Sequence, residues 1–160
     1  METKRLAGLE PASVFGYFEE ICAIPHGSRN TKQISDYLVN FAKSQNLRYI
    51  QDDADNVIIF GDATPGYEDH PAVILQGHMD MVCEKNSDVE FDFENDAIRT
   101  KIDGEWVKAE GTTLGADCGI GMAAAMALLL DEEAEHGPIE ALFTVDEETG
   151  LTGAFNLGEG

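Results

Sequence analysis

The chain has 160 residues, of which 43% are hydrophobic and 26% charged; this suits one globular domain and excludes disordered and fibrous classes. A chain of this length buries about 70% of the surface it exposes when unfolded, enough for a single core. Ten Lys/Arg against 31 Asp/Glu leave a net charge of −21, which excludes nucleic acid and anionic membrane as partners, since both require a cationic surface.

In chain order, PASVFGYFEEICAI (11–24) places Val14, Phe15, Phe18, Ile21 and Cys22 at helical spacing, with Pro11 suited to the first turn. Pro25-His26-Gly27-Ser28 breaks that helix. A second amphipathic helix is expected over about 30–45, with Ile34, Leu38 and Phe41 on one face. Leu47–Gln51 and Asn56–Phe60 read as two strands joined by an acidic turn, and GDATPGYEDHP as a loop. AVILQ (72–76) is a continuous apolar run, expected to be a strand buried on both faces. Residues 84–110 read as an acidic surface excursion with short strands. Gly111–Gly121 is glycine-rich and leads into an apolar helix over about 119–132. PIEALFTV (138–145) is a further buried strand, followed by DEETG and the start of a helix near Leu151. Alternating helices and buried strands favour a layered α/β domain with a largely parallel sheet.

Residues 1–50 hold six basic and five acidic side chains, whereas residues 51–160 hold four and twenty-six. Such an imbalance points to a solvated acidic face, a cation site, or both. Cys22, Cys83 and Cys118 are far apart and form no C-x-x-C pair, which fits a reducing compartment without disulfides. The N-terminal METKRLAGLEPAS has no apolar core, and no stretch approaches eighteen apolar residues. Neither a signal peptide nor a membrane span is expected, and the cytoplasm is the default location.

In a layered α/β sheet, ligands collect beyond the carboxyl ends of strands. Two clusters fall there: His78-Met79-Asp80 after AVILQ, and Asp146-Glu147-Glu148 after IEALFTV. His78 and Asp80, at i and i+2, project to the same side, and an aspartate so placed can fix the tautomer of a metal-bound histidine. Three consecutive carboxylates repel one another, and a divalent cation relieves that repulsion. Adjacent residues point in opposite directions, so Glu147 and Glu148 can hold different tasks, one binding metal and one acting as general base. Taken alone, Asp117 reads as a helix N-cap. Gly119-x-Gly121-x-x-Ala124 imitates a dinucleotide fingerprint but lacks the preceding strand and places Asp117 where a pyrophosphate would be repelled. Asp53-x-Asp55 lacks the ligands of a calcium loop. Asp131–Glu135 reads as a solvated helix end, and His26, His70 and His136 as surface residues. No arrangement suggests a covalent nucleophile.

Taken in order, QGHMDMVCEKN, GTTLGADCGIGMA and FTVDEETGLTGA, with EEICAIPHGSRN before them, resemble the M20 metallopeptidase family, and within it the aminoacyl-histidine (Xaa-His) dipeptidase branch. The resemblance implies a three-layer α/β/α zinc-aminopeptidase-like catalytic domain with a largely parallel or mixed sheet. It also implies two divalent ions, zinc with manganese or cobalt as substitutes. His78 would ligate one ion, Asp117 would bridge both and Glu148 would ligate the second. Glu147 would be the general base and Asp80 would orient His78. The implied reaction is hydrolysis of dipeptides with a free N-terminus, including Xaa-His. The family supplies two further ligands downstream, an Asp and a His. Residues 1–160 therefore read as the N-terminal portion of the catalytic domain, incomplete at its C-terminal side. The lid or dimerisation domain, through which a family member can form a homodimer, would be absent and the chain inactive alone. A non-catalytic acidic cation-binding module, or an inactive remnant, remains the rival reading.

Overall fold

The computed structural model describes residues 5–158. The elements follow the expected order: α1 (Ala12–Cys22), α2 (Lys32–Ser44), β1 (Arg48–Gln51), β2 (Val57–Gly61), β3 (Val73–His78), β4 (Thr100–Asp103), β5 (Trp106–Ala109), α3 (Ala116–Leu129), β6 (Ile139–Thr144) and α4 (Thr152–Phe155). The apolar spacing in α1 buries Phe18, Ile21 and Cys22; that in α2 buries Ile34, Leu38 and Phe41. The β1–β2 turn is stapled by Asp52, whose carboxylate accepts the N–H groups of Ala54 at 2.9 Å and Asn56 at 2.8 Å, an Asx-type turn.

The sheet is mixed, in the order β1-β2-β6-β3. β2 runs antiparallel to β1 and β6, and only β3 and β6 are parallel. One face carries Val57 opposite Phe143, Ile59 opposite Ala141 and Gly61 opposite Ile139, and these residues are all buried. α3 lies close against this face. A Cβ on Gly61 would come within 2.9 Å of Leu129, and one on Gly77 within 3.1 Å of the Cys118 sulfur. α2 covers the β1–β2 end of the same face, and α1 packs across α3. Fully buried side chains such as Ile21, Ile34, Leu38 and Ile59 each contribute about 1.5–3 kcal/mol of transfer free energy. The opposite face holds half-buried Ile58, Phe60 and Leu142, with the Arg48 guanidinium 3.8 Å from the Phe60 ring. The described residues thus place α1, α2 and α3 on one side of the sheet.

β3 departs from expectation. Among the described residues it lies at the sheet edge, with Val73 53% and Ile74 60% exposed; burial begins at Gly77 and His78. An apolar run records that a strand is apolar, not how many neighbours cover it. Residues 84–110 form the expected excursion, carrying the separate β4–β5 hairpin. Among the described residues, no helix is long and apolar enough to cross a membrane.

Candidate metal centre

Because β3 and β6 are parallel and in register, with His78 opposite Thr144, both strands release their loops at the same end of the sheet. The Met79 N–H donates to Thr144 O at 2.8 Å, extending the pairing one step further. His78 is therefore fixed at a strand end and buried. Its Nδ1 lies 2.9 Å from the Asp80 main-chain carbonyl and 3.3 Å from the Asp80 carboxylate. An N–H on Nδ1 satisfies both acceptors and leaves Nε2 to face outward. Nε2 points at Asp117, 3.1 Å from its Oδ1.

Asp117 reaches this point from the opposite side of the cleft, at the entry to α3. Gly115 has φ 73°, Asp117 is extended at φ −91°, ψ 109°, and a cis peptide joins Asp117 to Cys118. The N-cap expectation fails: the cap is Gly115 and no side chain makes a capping bond. The Asp117 side chain is instead 88% exposed above the strand ends. Glu148 completes the group. One donor atom each from His78, Asp117 and Glu148 lies within 4.8 Å of the others. Glu147 faces the same cleft, along with Gln76, Thr144 and Leu151.

Asp80 holds the two loops together. Its carboxylate is buried and accepts four donors: Ser28 Oγ at 2.7 Å, Glu147 N at 2.9 Å, Glu148 N at 3.2 Å and His78 Nδ1 at 3.3 Å. Burial pushes the carboxyl up, but these donors outweigh it and hold it at about 2, below its ordinary 3.8. The Asp80 carboxylate, first among its neighbours, raises His78 to about 9 against the opposing effect of burial.

The donor set suits a divalent cation of zinc type. It offers one imidazole nitrogen and two carboxylates, and the nitrogen is presented by an outer carboxylate as metal-binding histidines commonly are. Two donors at zinc bond lengths and a tetrahedral angle sit about 3.3 Å apart, close to the 3.1 Å between His78 and Asp117.

The model of peptidase family M20/M25/M40 matches residues 74–160, more than half of the chain and both strand-end clusters. The chain belongs to this peptidase family. The cytosol non-specific dipeptidase of Escherichia coli (strain K12) is 49% identical over 152 residues, 95% of this chain and 31% of that protein. The crystal structure of aminoacylhistidine dipeptidase from Vibrio alginolyticus superposes with a TM-score of 0.94 at 49% identity, covering 97% of this chain and 32% of that one. A tripeptidase from Staphylococcus aureus shares the fold, with a TM-score of 0.74 at 24% identity over 91% of this chain and 39% of its own. The chain thus spans about a third of the length of the dipeptidases it matches.

Within this M20 chain, the structure brings all five sequence-derived residues to one end of the sheet: His78, Asp117 and Glu148 as a cluster, Glu147 lining the cleft and Asp80 beneath it. Two participants were not apparent from sequence. Ser28 donates to Asp80, and the Arg29 main-chain N–H donates to Asp146 Oδ1 at 2.6 Å. The break PHGSRN marked their turn but not its destination. His26 is corrected as well. It is 3% exposed, not a surface residue, and its Nδ1 lies 2.6 Å from Ile24 O.

Proposed function

We propose that residues 1–160 form the N-terminal portion of the catalytic domain of a cytoplasmic, dinuclear metallodipeptidase. It hydrolyses dipeptides with a free N-terminus, with Xaa-His among its substrates, and is a homodimer in its complete form. The observation that carries this reading is the convergence of His78, Asp117 and Glu148 donor atoms within 4.8 Å at the strand ends, with Glu147 lining the same cleft.

In this reading His78 and Asp117 would hold one ion, and Asp117 and Glu148 the second; zinc is the assigned metal, with manganese or cobalt able to replace it. When bound, the pair acidifies a water and polarises the scissile carbonyl. The chain's own residues do the rest. Asp80 keeps the Nδ1 proton on His78, so that Nε2 presents its lone pair. The Asp80 carboxylate also holds the main chain of Glu147 and Glu148, so base and ligand move together. Glu147 accepts the proton of the attacking water and delivers it to the leaving amine.

The test is turnover of an Ala-His type dipeptide by the complete protein with added zinc or manganese, against a Glu147→Gln control. Turnover abolished by that substitution, with metal retained, supports the reading. Metal uptake without turnover in the unsubstituted protein would favour a non-catalytic cation-binding role.

A further inference from the structure

The connection between α1 and α2 reaches the metal centre. Gly27 forms a parallel bridge with Met81. The Met81 N–H donates to His26 O at 3.1 Å, and the Ser28 N–H donates to Met81 O at 3.3 Å. These main-chain bonds lay residues 26–28 alongside the segment that follows His78. The approach is close: a Cβ on Gly27 would fall 2.4 Å from the Cys83 sulfur. One residue further on, Arg29 at φ 68° gives its N–H to the carboxylate of Asp146, itself at φ 53°. One short segment therefore grips both strand-end loops.

From this position Ser28 Oγ makes the shortest of the four hydrogen bonds to Asp80, 2.7 Å to Oδ2. Among the described residues, the other donor to that oxygen is Glu148 N at 3.2 Å. Oδ1 carries one contact to a ligand, His78 Nδ1, and one to the general base, Glu147 N. A carboxylate is planar, so fixing Oδ2 fixes the direction of Oδ1. Asp80 is 1% exposed with the Ser28 hydroxyl in place. The docking of the connection itself does not need that hydroxyl, because the main-chain bonds to Met81 and Asp146 already hold it.

We propose that Ser28 is a positioning residue of the metal centre, a role that rests on the ligand assignment above. Its hydroxyl sets the plane of the Asp80 carboxylate and, through it, the ring of His78 and the backbone of Glu147 and Glu148.

The test is Zn2+ affinity, measured by competition with a chromogenic chelator, in wild type, Ser28→Ala, Ser28→Thr and His78→Ala. Partners bonded directly to metal ligands change affinity by about 10–100-fold. Ser28 acts one step further out, so Ser28→Ala is expected to weaken binding about 10-fold, the lower end of that range. Ser28→Thr keeps the hydroxyl and is expected to restore affinity to within about 3-fold of wild type, a rescue that a mere packing role would not give. If Ser28→Ala does not fold, Ser28→Cys, near-isosteric with a weaker donor, carries the same comparison. Wild-type affinity in Ser28→Ala, or in Ser28→Cys if that variant is used, with binding lost in His78→Ala, would overturn the role of Ser28 and leave the metal centre standing. A loss in Ser28→Ala that Ser28→Thr does not rescue would also overturn it. Unchanged affinity in His78→Ala would overturn the metal centre, and the role of Ser28 with it.

Discussion

Asp80→Asn replaces one buried oxygen with an amide nitrogen, and the structure sets the size of the effect. The carboxyl is held at about 2 instead of 3.8, which corresponds to about 2.5 kcal/mol of folding free energy at roughly 1.4 kcal/mol per tenfold change. A second route gives the same scale. The amide can keep its oxygen toward Glu147 N and His78 Nδ1 and turn its nitrogen toward Ser28, whose hydroxyl rotates to accept. The Glu148 N–H then faces a donor, and a buried unpaired donor costs about 1–3 kcal/mol. The metal-free variant is therefore expected to lose about 2–3 kcal/mol at pH 7. The sign with pH follows from the lowered carboxyl: its contribution is present above 3.8 and is lost as pH falls toward 2. Wild type should thus lose about 2 kcal/mol more than the variant between pH 5 and pH 2. The raised value of His78, about 9, describes the same ion pair from its other end and is not added. On that side the stabilisation is full below 6.5 and is lost as pH rises through about 9, so the variant's deficit narrows in alkali. The assay is urea unfolding in EDTA, followed by far-ultraviolet circular dichroism across this pH range. Equal stabilities at pH 7, or parallel curves between pH 5 and pH 2, would refute the reasoning.

Glu147→Gln in the complete protein is expected to keep its metal and lower kcat by about 10²-fold or more, whereas Glu148→Ala is expected to lose metal; elemental analysis beside initial rates separates them, and the opposite pattern would reverse the roles. Zinc uptake by the metal-free protein at pH 7 is expected to release close to one proton from His78, which is raised to about 9 and must give up a proton to become a ligand; calorimetry in buffers of different ionisation enthalpy counts it. Gly153→Ala would set a Cβ 2.3 Å from Val145 O and 2.5 Å from Asn56 Oδ1. Because the backbone cannot yield as a side chain does, a loss of about 1–3 kcal/mol is expected in thermal or urea unfolding.

The helices and strands were legible because their apolar residues recur at helical or strand spacing and bury as that spacing demands, as with Phe18 and Ile21 in α1. The positions of His78 and Glu147–Glu148 were legible because each follows an apolar strand, and parallel strands deliver such residues to one end. What spacing could not convey is pairing across the chain. AVILQ gave no sign that β3 is an edge among the described residues, with Ile74 60% exposed, since neighbours are a property of the sheet and not of the run. Asp117 looked like a cap because the glycines around it resemble a helix start; only the extended backbone at Asp117 turns its side chain toward His78. His26 and Ser28 sit in a polar turn that reads as surface. Their burial and bonding depend on the Met81 segment lying beside them, more than fifty residues away in the chain.

The most direct test of the central claim is anomalous diffraction at the zinc edge from crystals of the protein grown or soaked with zinc. The account predicts a peak between His78 Nε2, Asp117 and Glu148, lost in His78→Ala. Zinc bound only elsewhere, such as along the exposed Asp131–Glu135 run, with no density beside His78, would contradict it.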